Sequence, residues 1–143
     1  MANQIYPLAR EGFGLGEIVW KETGGSVIKA HAVRGGAYNA GHKFLSQLTA
    51  AGASIVATAT LASKTIPLGV ATCADWSFGT VAAGLAIPAI VIVQTSAVGG
   101  GADLATTAQR LICWRDTDPG LPYTPIGQPM DVDVDATLGL FTL

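Results

Sequence analysis

Three carboxylates at alternate positions, in the run Asp131-Val132-Asp133-Val134-Asp135, come closest of any residues in this chain to a binding constellation. On an extended strand Asp131, Asp133 and Asp135 all point to one face, where their oxygens could gather around Ca²⁺. The EF-hand pattern, however, needs glycine at the sixth loop position and glutamate at the twelfth. Counted from Asp131, this chain has Ala136 and Thr142 there. The expected arrangement is therefore a half-buried strand with Val132 and Val134 inward and the aspartates in water, discouraging edge pairing. A Ca²⁺ or inter-subunit cation site is the alternative, and no other metal or cofactor is expected.

The remaining reactive residues form no catalytic pattern. His31 and His42 are the only histidines and fall on different expected elements, without an H-E-x-x-H arrangement. Cys73 and Cys113 lack the close spacing of a zinc pair and sit among apolar neighbours, so they read as buried free thiols. A disulfide acquired outside the cell is the alternative. Gly12-Phe13-Gly14-Leu15-Gly16 lacks the dinucleotide spacing, and Gly99-Gly100-Gly101 is not followed by the Lys-Ser/Thr of a phosphate loop. No G-x-S-x-G elbow occurs. The pairs Glu11/Glu17 and Asp116/Asp118 suit caps and turns. The chain is expected not to be an enzyme. Trp20, Trp76 and Trp114 each lie beside aliphatic residues in an expected strand, and read as core or interface anchors. Stacking on a sugar is the alternative. Phe141 and Leu143, in the apolar tail, join them as candidate interface residues.

The elements that must position these residues are short. Residues 7–15 read as a helix or turn, limited by Gly12, Gly14 and Gly16. Residues 17–20 and 27–33 read as two strands of a hairpin around Thr23-Gly24-Gly25-Ser26. Asn39 is placed to cap a helix running to Leu48, with Phe44, Leu45 and Leu48 on one stripe. From Ser54 the texture turns β-branched: residues 55–61, then 64–71 and 75–78, continue in that style. The unbroken apolar run 86–93 predicts a strand buried on both faces, 98–107 a Gly-rich loop, and 110–114 another strand. Residues 116–129 are rich in turns, 130–136 alternate strictly, and 140–143 form an apolar tail. Seven or eight short strands with turn signals between them predict one mainly β domain over residues 1–143. The fold class is an antiparallel sandwich or barrel-like arrangement, with one or two short helices near the N-terminal third.

Composition narrows the partners. Of 143 residues, 50% are hydrophobic and only 13% charged, against about 25% charged in an ordinary soluble domain. The net charge of −2 supplies no basic field for nucleic acid or an anionic membrane. The longest strongly apolar stretch, residues 81–93, contains Gly84 and Pro88 and is shorter than the about 20 residues of a span. The first seven residues carry neither the basic nor the apolar part of a secretory signal, so synthesis in a cytoplasm is expected. The apolar surplus then points to surface buried against other copies or chains, in a homo-oligomer or a larger assembly.

The succession Glu11-Gly-Phe-Gly-Leu-Gly-Glu-Ile-Val-Trp20, then Ile28-Lys-Ala-His-Ala-Val33 with Tyr38-Asn39, then His42-Lys-Phe-Leu-Ser46, resembles the opening of small virion proteins of tailed bacteriophages. The likeness continues through Ile55-Val-Ala-Thr58, Gly69-Val-Ala71, residues 75–78 and Ala86-Ile-Pro-Ala-Ile-Val-Ile92. It ends with Arg110-Leu-Ile-Cys-Trp-Arg-Asp-Thr117, Gly120-Leu-Pro122 and the closing Val-Asp-Val-Asp before Gly139-Leu-Phe141, and so covers nearly the whole chain. It is most similar to head decoration, or cement, proteins.

That resemblance implies a β-rich homo-oligomer, often a trimer, made in the bacterial cytoplasm and carried on the capsid surface of the virion. It would bind the major capsid protein across subunit boundaries of the expanded shell and stabilise that state by mass action. The resemblance carries no catalytic motif. A head-to-tail connector or tail component, and a carbohydrate- or receptor-binding module on the virion, are the other roles it leaves open. The N-terminal segment, the Gly-rich loop and the C-terminal tail are the pieces expected to lie on neighbours.

Overall fold

The unbroken apolar run predicted to be buried on both faces forms the centre of the molecule. In the structure, a computed structural model that describes residues 3–143, the strand Ala89–Gln94 is buried at all of its positions, and so is Arg110–Arg115 beside it. In chain order the elements are β1 (Gln4–Ile5), α1 (Pro7–Gly14), β2 (Ile28–Arg34), α2 (Leu45–Ala50) and β3 (Ser54–Thr60). A single 3-10 turn (Pro67–Gly69) then leads into β4 (Val70–Ala71), β5 (Trp76–Thr80), β6 (Ala89–Gln94), β7 (Arg110–Arg115), β8 (Pro129–Val132) and β9 (Phe141–Thr142). Five strands make an antiparallel sheet in the order β1-β7-β6-β2-β3, while β4–β9 and β5–β8 are separate two-stranded ladders. The fold is mainly β with two short helices. Its edge strands β1 and β3 do not meet, so no barrel closes. None of the described helices is long and apolar enough to cross a membrane.

Antiparallel register divides the central side chains between two faces. Ala30 lies opposite Ile92 and Ala32 opposite Ile90, and these continue to Cys113 and Arg115 on β7. The other face carries Lys29, His31 and Val33 of β2, then Val91 and Val93 of β6, then Trp114 of β7.

Five expectations differ from the structure, some through local bonds and some through distant ones. Residues 17–20 form no strand, because Glu17 N–H and Ile18 N–H donate to the Gly12 carbonyl and finish α1. The predicted hairpin therefore does not form, and β2 pairs with β3 and β6 instead. Asn39 does not start the second helix. Its Oδ1 accepts Gly41 N–H at 2.8 Å, and α2 begins only at Leu45, where Gln47 Oε1 accepts Lys43 N–H and Phe44 N–H. The strand predicted over 130–136 ends at Val132. The apolar tail does not reach outward: Phe141 is 7% exposed, with its ring 5.1 Å from Trp20 and 5.7 Å from Phe13 between centroids. The N-terminal segment is likewise folded in, since β1 pairs with β7 and Tyr6 is fully buried; Met1 and Ala2 of that segment lie outside the described residues.

The accessible surface is 6673 Å², close to the about 6,900 Å² that surface–mass scaling gives for a monomer of this size. One chain is thus packed to an ordinary total surface, and its exposed large apolar side chains are few and identifiable.

Candidate functional site

The aspartate run lines one wall of a cleft. On β8, Asp131 pairs with Ser77 and Val132 with Trp76 across the β5 ladder. Beyond Val132 the chain leaves the ladder: Val134 N–H donates to Asp75 Oδ1 at 2.7 Å, and Asp135 Oδ1 accepts Thr137 N–H and Leu138 N–H, each at 2.8 Å. Those backbone donors hold the Asp135 carboxyl below the usual carboxylate range. Asp135 is thereby the cap of a turn, and only Asp131 of the three stands in a strand. Among the described residues no group of three or more His, Cys, Asp or Glu is gathered to hold a metal ion.

The cleft itself is about 650 Å³, floored by Ile90, Met130 and Leu140 and walled by Tyr123 and the Arg115–Asp118 pair. Arg115 Nε donates to Asp118 Oδ2 at 2.7 Å and its terminal nitrogen to Oδ1 at 2.5 Å, while the second terminal nitrogen donates to the Leu140 carbonyl. The guanidinium is occupied by its own chain, and neither histidine nor cysteine lines the cleft among the described residues. The arrangement offers an apolar floor and fixed charges.

Elsewhere the titratable groups are dispersed. His31 is buried in the main sheet with Nδ1 2.8 Å from Thr58 Oγ1, and its Nε2 has no partner among the described residues. His42 precedes α2. Cys73 and Cys113 are both free and buried, and burial pushes their thiols up to about 11 and about 12, which removes thiolate reactivity at neutral pH.

Of the candidate interface residues, four are taken up by the core. Trp20, Trp76 and Trp114 are 5%, 8% and 5% exposed, Phe141 joins them, and only Leu143 stays half in water. Between core anchor and interface anchor, the tryptophans take the first role because each is buried within the chain's own core. Trp20 Nε1–H donates to both the Thr65 and Thr72 carbonyls, at 3.0 and 3.1 Å. Thr65 and Thr72 also bond one another's backbone, so their carbonyls stay satisfied without the indole. Trp20→Phe is therefore expected to cost only about 1 kcal/mol in urea unfolding; a loss several times larger would mean the ring holds the junction by itself.

The residues that the sequence reading missed are aliphatic side chains displayed on turn tips. Leu15, Leu68, Leu85, Ile126 and Leu138 are 66%, 102%, 80%, 72% and 74% exposed. Each is next to glycine or proline, as in Pro67-Leu68-Gly69 and Pro125-Ile126-Gly127. That was the available signal: between such residues there is no strand or helix to turn a leucine inward. Leu68 also holds φ at 52°, a left-handed conformation that costs a non-glycine residue about 1–3 kcal/mol. The backbones next to Leu85 and Ile126 are joined by Gly84 N–H to the Pro125 carbonyl, and Arg34 Nε anchors the Leu85 carbonyl at 2.8 Å.

No protein-family profile, curated protein or solved structure matches this chain.

Proposed function

We propose that this chain is a non-enzymatic structural protein of a tailed-phage particle, and within it a head-decoration protein that binds across subunits of the major capsid protein. The observation that carries the reading is the display of aliphatic side chains beside Gly and Pro, with the backbones next to Leu85 and Ile126 bonded to one another. Exposed aliphatics in a charge-poor chain have the character of anchors for protein contact. The net charge of −2 suits neither nucleic acid nor an anionic membrane. The sugar-binding alternative loses its tryptophan stacking platforms, since all three rings are buried.

Purified protein is expected to bind expanded shells and not compact procapsids, because only expansion creates the composite site. Leu85→Ser combined with Ile126→Ser should keep the fold and weaken shell binding at least about tenfold, or 1.4 kcal/mol. Equal binding to both shell forms, or an unweakened double variant, counts against the proposal. Copy number separates it from a connector or tail role: hundreds per particle for decoration, tens for the others.

A further inference from the structure

Charge is unevenly spread over this chain. Four of its ten carboxylates, but only one of its eight basic residues, line the cleft between residues 117–123 and 130–135. That one guanidinium, Arg115, is spent on Asp118. Asp131, Asp133 and Asp135 have no basic partner among the described residues, so the cleft holds more uncompensated negative charge than the chain's net −2. The carboxylates stand at its mouth and not on its floor: Met130 is 4% exposed, whereas Asp131 and Asp133 are exposed. Ile90 and Leu140 continue the buried floor. Both walls are fixed by the chain's own bonds. Tyr123 and Ile87 exchange N–H to carbonyl bonds at 2.7 and 2.9 Å, and Val134 N–H is held by Asp75. The volume of about 650 Å³ is that of a preformed ligand cleft.

We propose that this cleft receives an extended segment of a partner protein that carries lysine or arginine, with the alkyl stem on the apolar floor and the charged end at the carboxylates of the mouth. Such side chains bury their stems along apolar surface while the head stays near water, the same order of layers that the cleft presents. Other occupants match one layer only. A neutral apolar group would take water from the carboxylates and return no partner. A bare metal ion would find no three carboxylates gathered around one point among the described residues. An anion or a nucleic acid would be repelled. The two walls are each several residues long, so a segment of chain fills the cleft where a lone amine would fill one end of it. Because both walls are already bonded in place, binding has only the incoming segment to order. The inference goes beyond shell binding through Leu85 and Ile126, which lie outside this cleft.

Backbone amide NMR of the full chain, titrated with a short capped peptide alternating leucine and lysine, reads the site directly. Shifts should concentrate at residues 117–123 and 130–135, and should fade as added salt shortens the screening length. The same peptide with glutamine in place of lysine should bind at least about fivefold more weakly. Asp131→Asn combined with Asp133→Asn should weaken the lysine peptide by a similar factor with circular dichroism unchanged, because neither carboxylate supports the fold through an ion pair among the described residues. Glu11→Gln, which removes a carboxylate outside the cleft, should leave binding as it is. Calcium chloride and n-butylamine test the other sources of positive charge. Either one shifting those residues as strongly as the peptide overturns the proposal, since the site would then take a metal ion or a free amine. So do shifts spread over the whole surface, equal binding of the glutamine peptide, or a double variant that binds like the wild type. Shell binding by the Leu85 and Ile126 variant is a separate measurement, and neither result decides the other.

Discussion

Replacing Arg115 with alanine is expected to destabilise the protein by about 3–5 kcal/mol, the range for removing one partner of a buried ion pair. Arg115 and Asp118 are each 11% exposed at the side chain, and the guanidinium grips both carboxylate oxygens. Without it, Asp118 stays in the cleft wall with Asn3 Nδ2 at 2.8 Å as its remaining side-chain donor. The same substitution frees the Leu140 carbonyl next to β9, so the closing strand loses an anchor as well. Arg115→Ala combined with Asp118→Ala should cost less than the sum of the two single changes, because no unpaired charge is left behind. Urea unfolding of the three variants measures the coupling. A loss under about 1 kcal/mol for Arg115→Ala would show that water screens the pair as it does on a surface.

The second large effect is a loss of stability on acidification, through His31. Burial, and then the charge of Lys29, lower its pKa from 6.5 to about 4, with Asp103 opposing. Because the folded value lies below the unfolded one, the stabilisation is fully present above pH 6.5. It is lost as pH falls toward the folded value, when the proton must enter a site whose Nε2 has no partner. The shift corresponds to about 3 kcal/mol between neutral pH and pH 4. Unfolding free energy measured against pH should therefore fall more steeply in the wild type than in His31→Gln across that window. Parallel curves for the two proteins would remove His31 as the cause and leave only the carboxylates, such as Asp103, which Lys29 holds low.

Much of the fold was legible because local pattern and burial agree in the centre. The apolar run that became β6 and the Arg110–Arg115 strand have side chains that tertiary contact buries on both faces, so the sequence carries their environment directly. The candidate site was less legible. Asp131, Asp133 and Asp135 alternate as on a strand, yet Asp135 has turn donors within reach at Thr137 and Leu138, and a short polar side chain takes such bonds in preference to a ladder. The displayed aliphatics were passed over because an apolar residue reads by default as core. Their Gly and Pro neighbours carried the opposite message.

By itself, the sequence determined the mainly β class, the two most buried strands, the free thiols and the dispersal of the histidines, since each follows from residue type and local spacing. Only the tertiary structure decided which strands meet: that β2 lies between β3 and β6 and not against residues 17–20, and that the tail returns to pair with β4. It also decided which aromatic rings the core absorbs. Local pattern sets what a segment can become, while partner and exposure follow from backbone hydrogen bonds and buried area between residues far apart in the chain, which no local window contains.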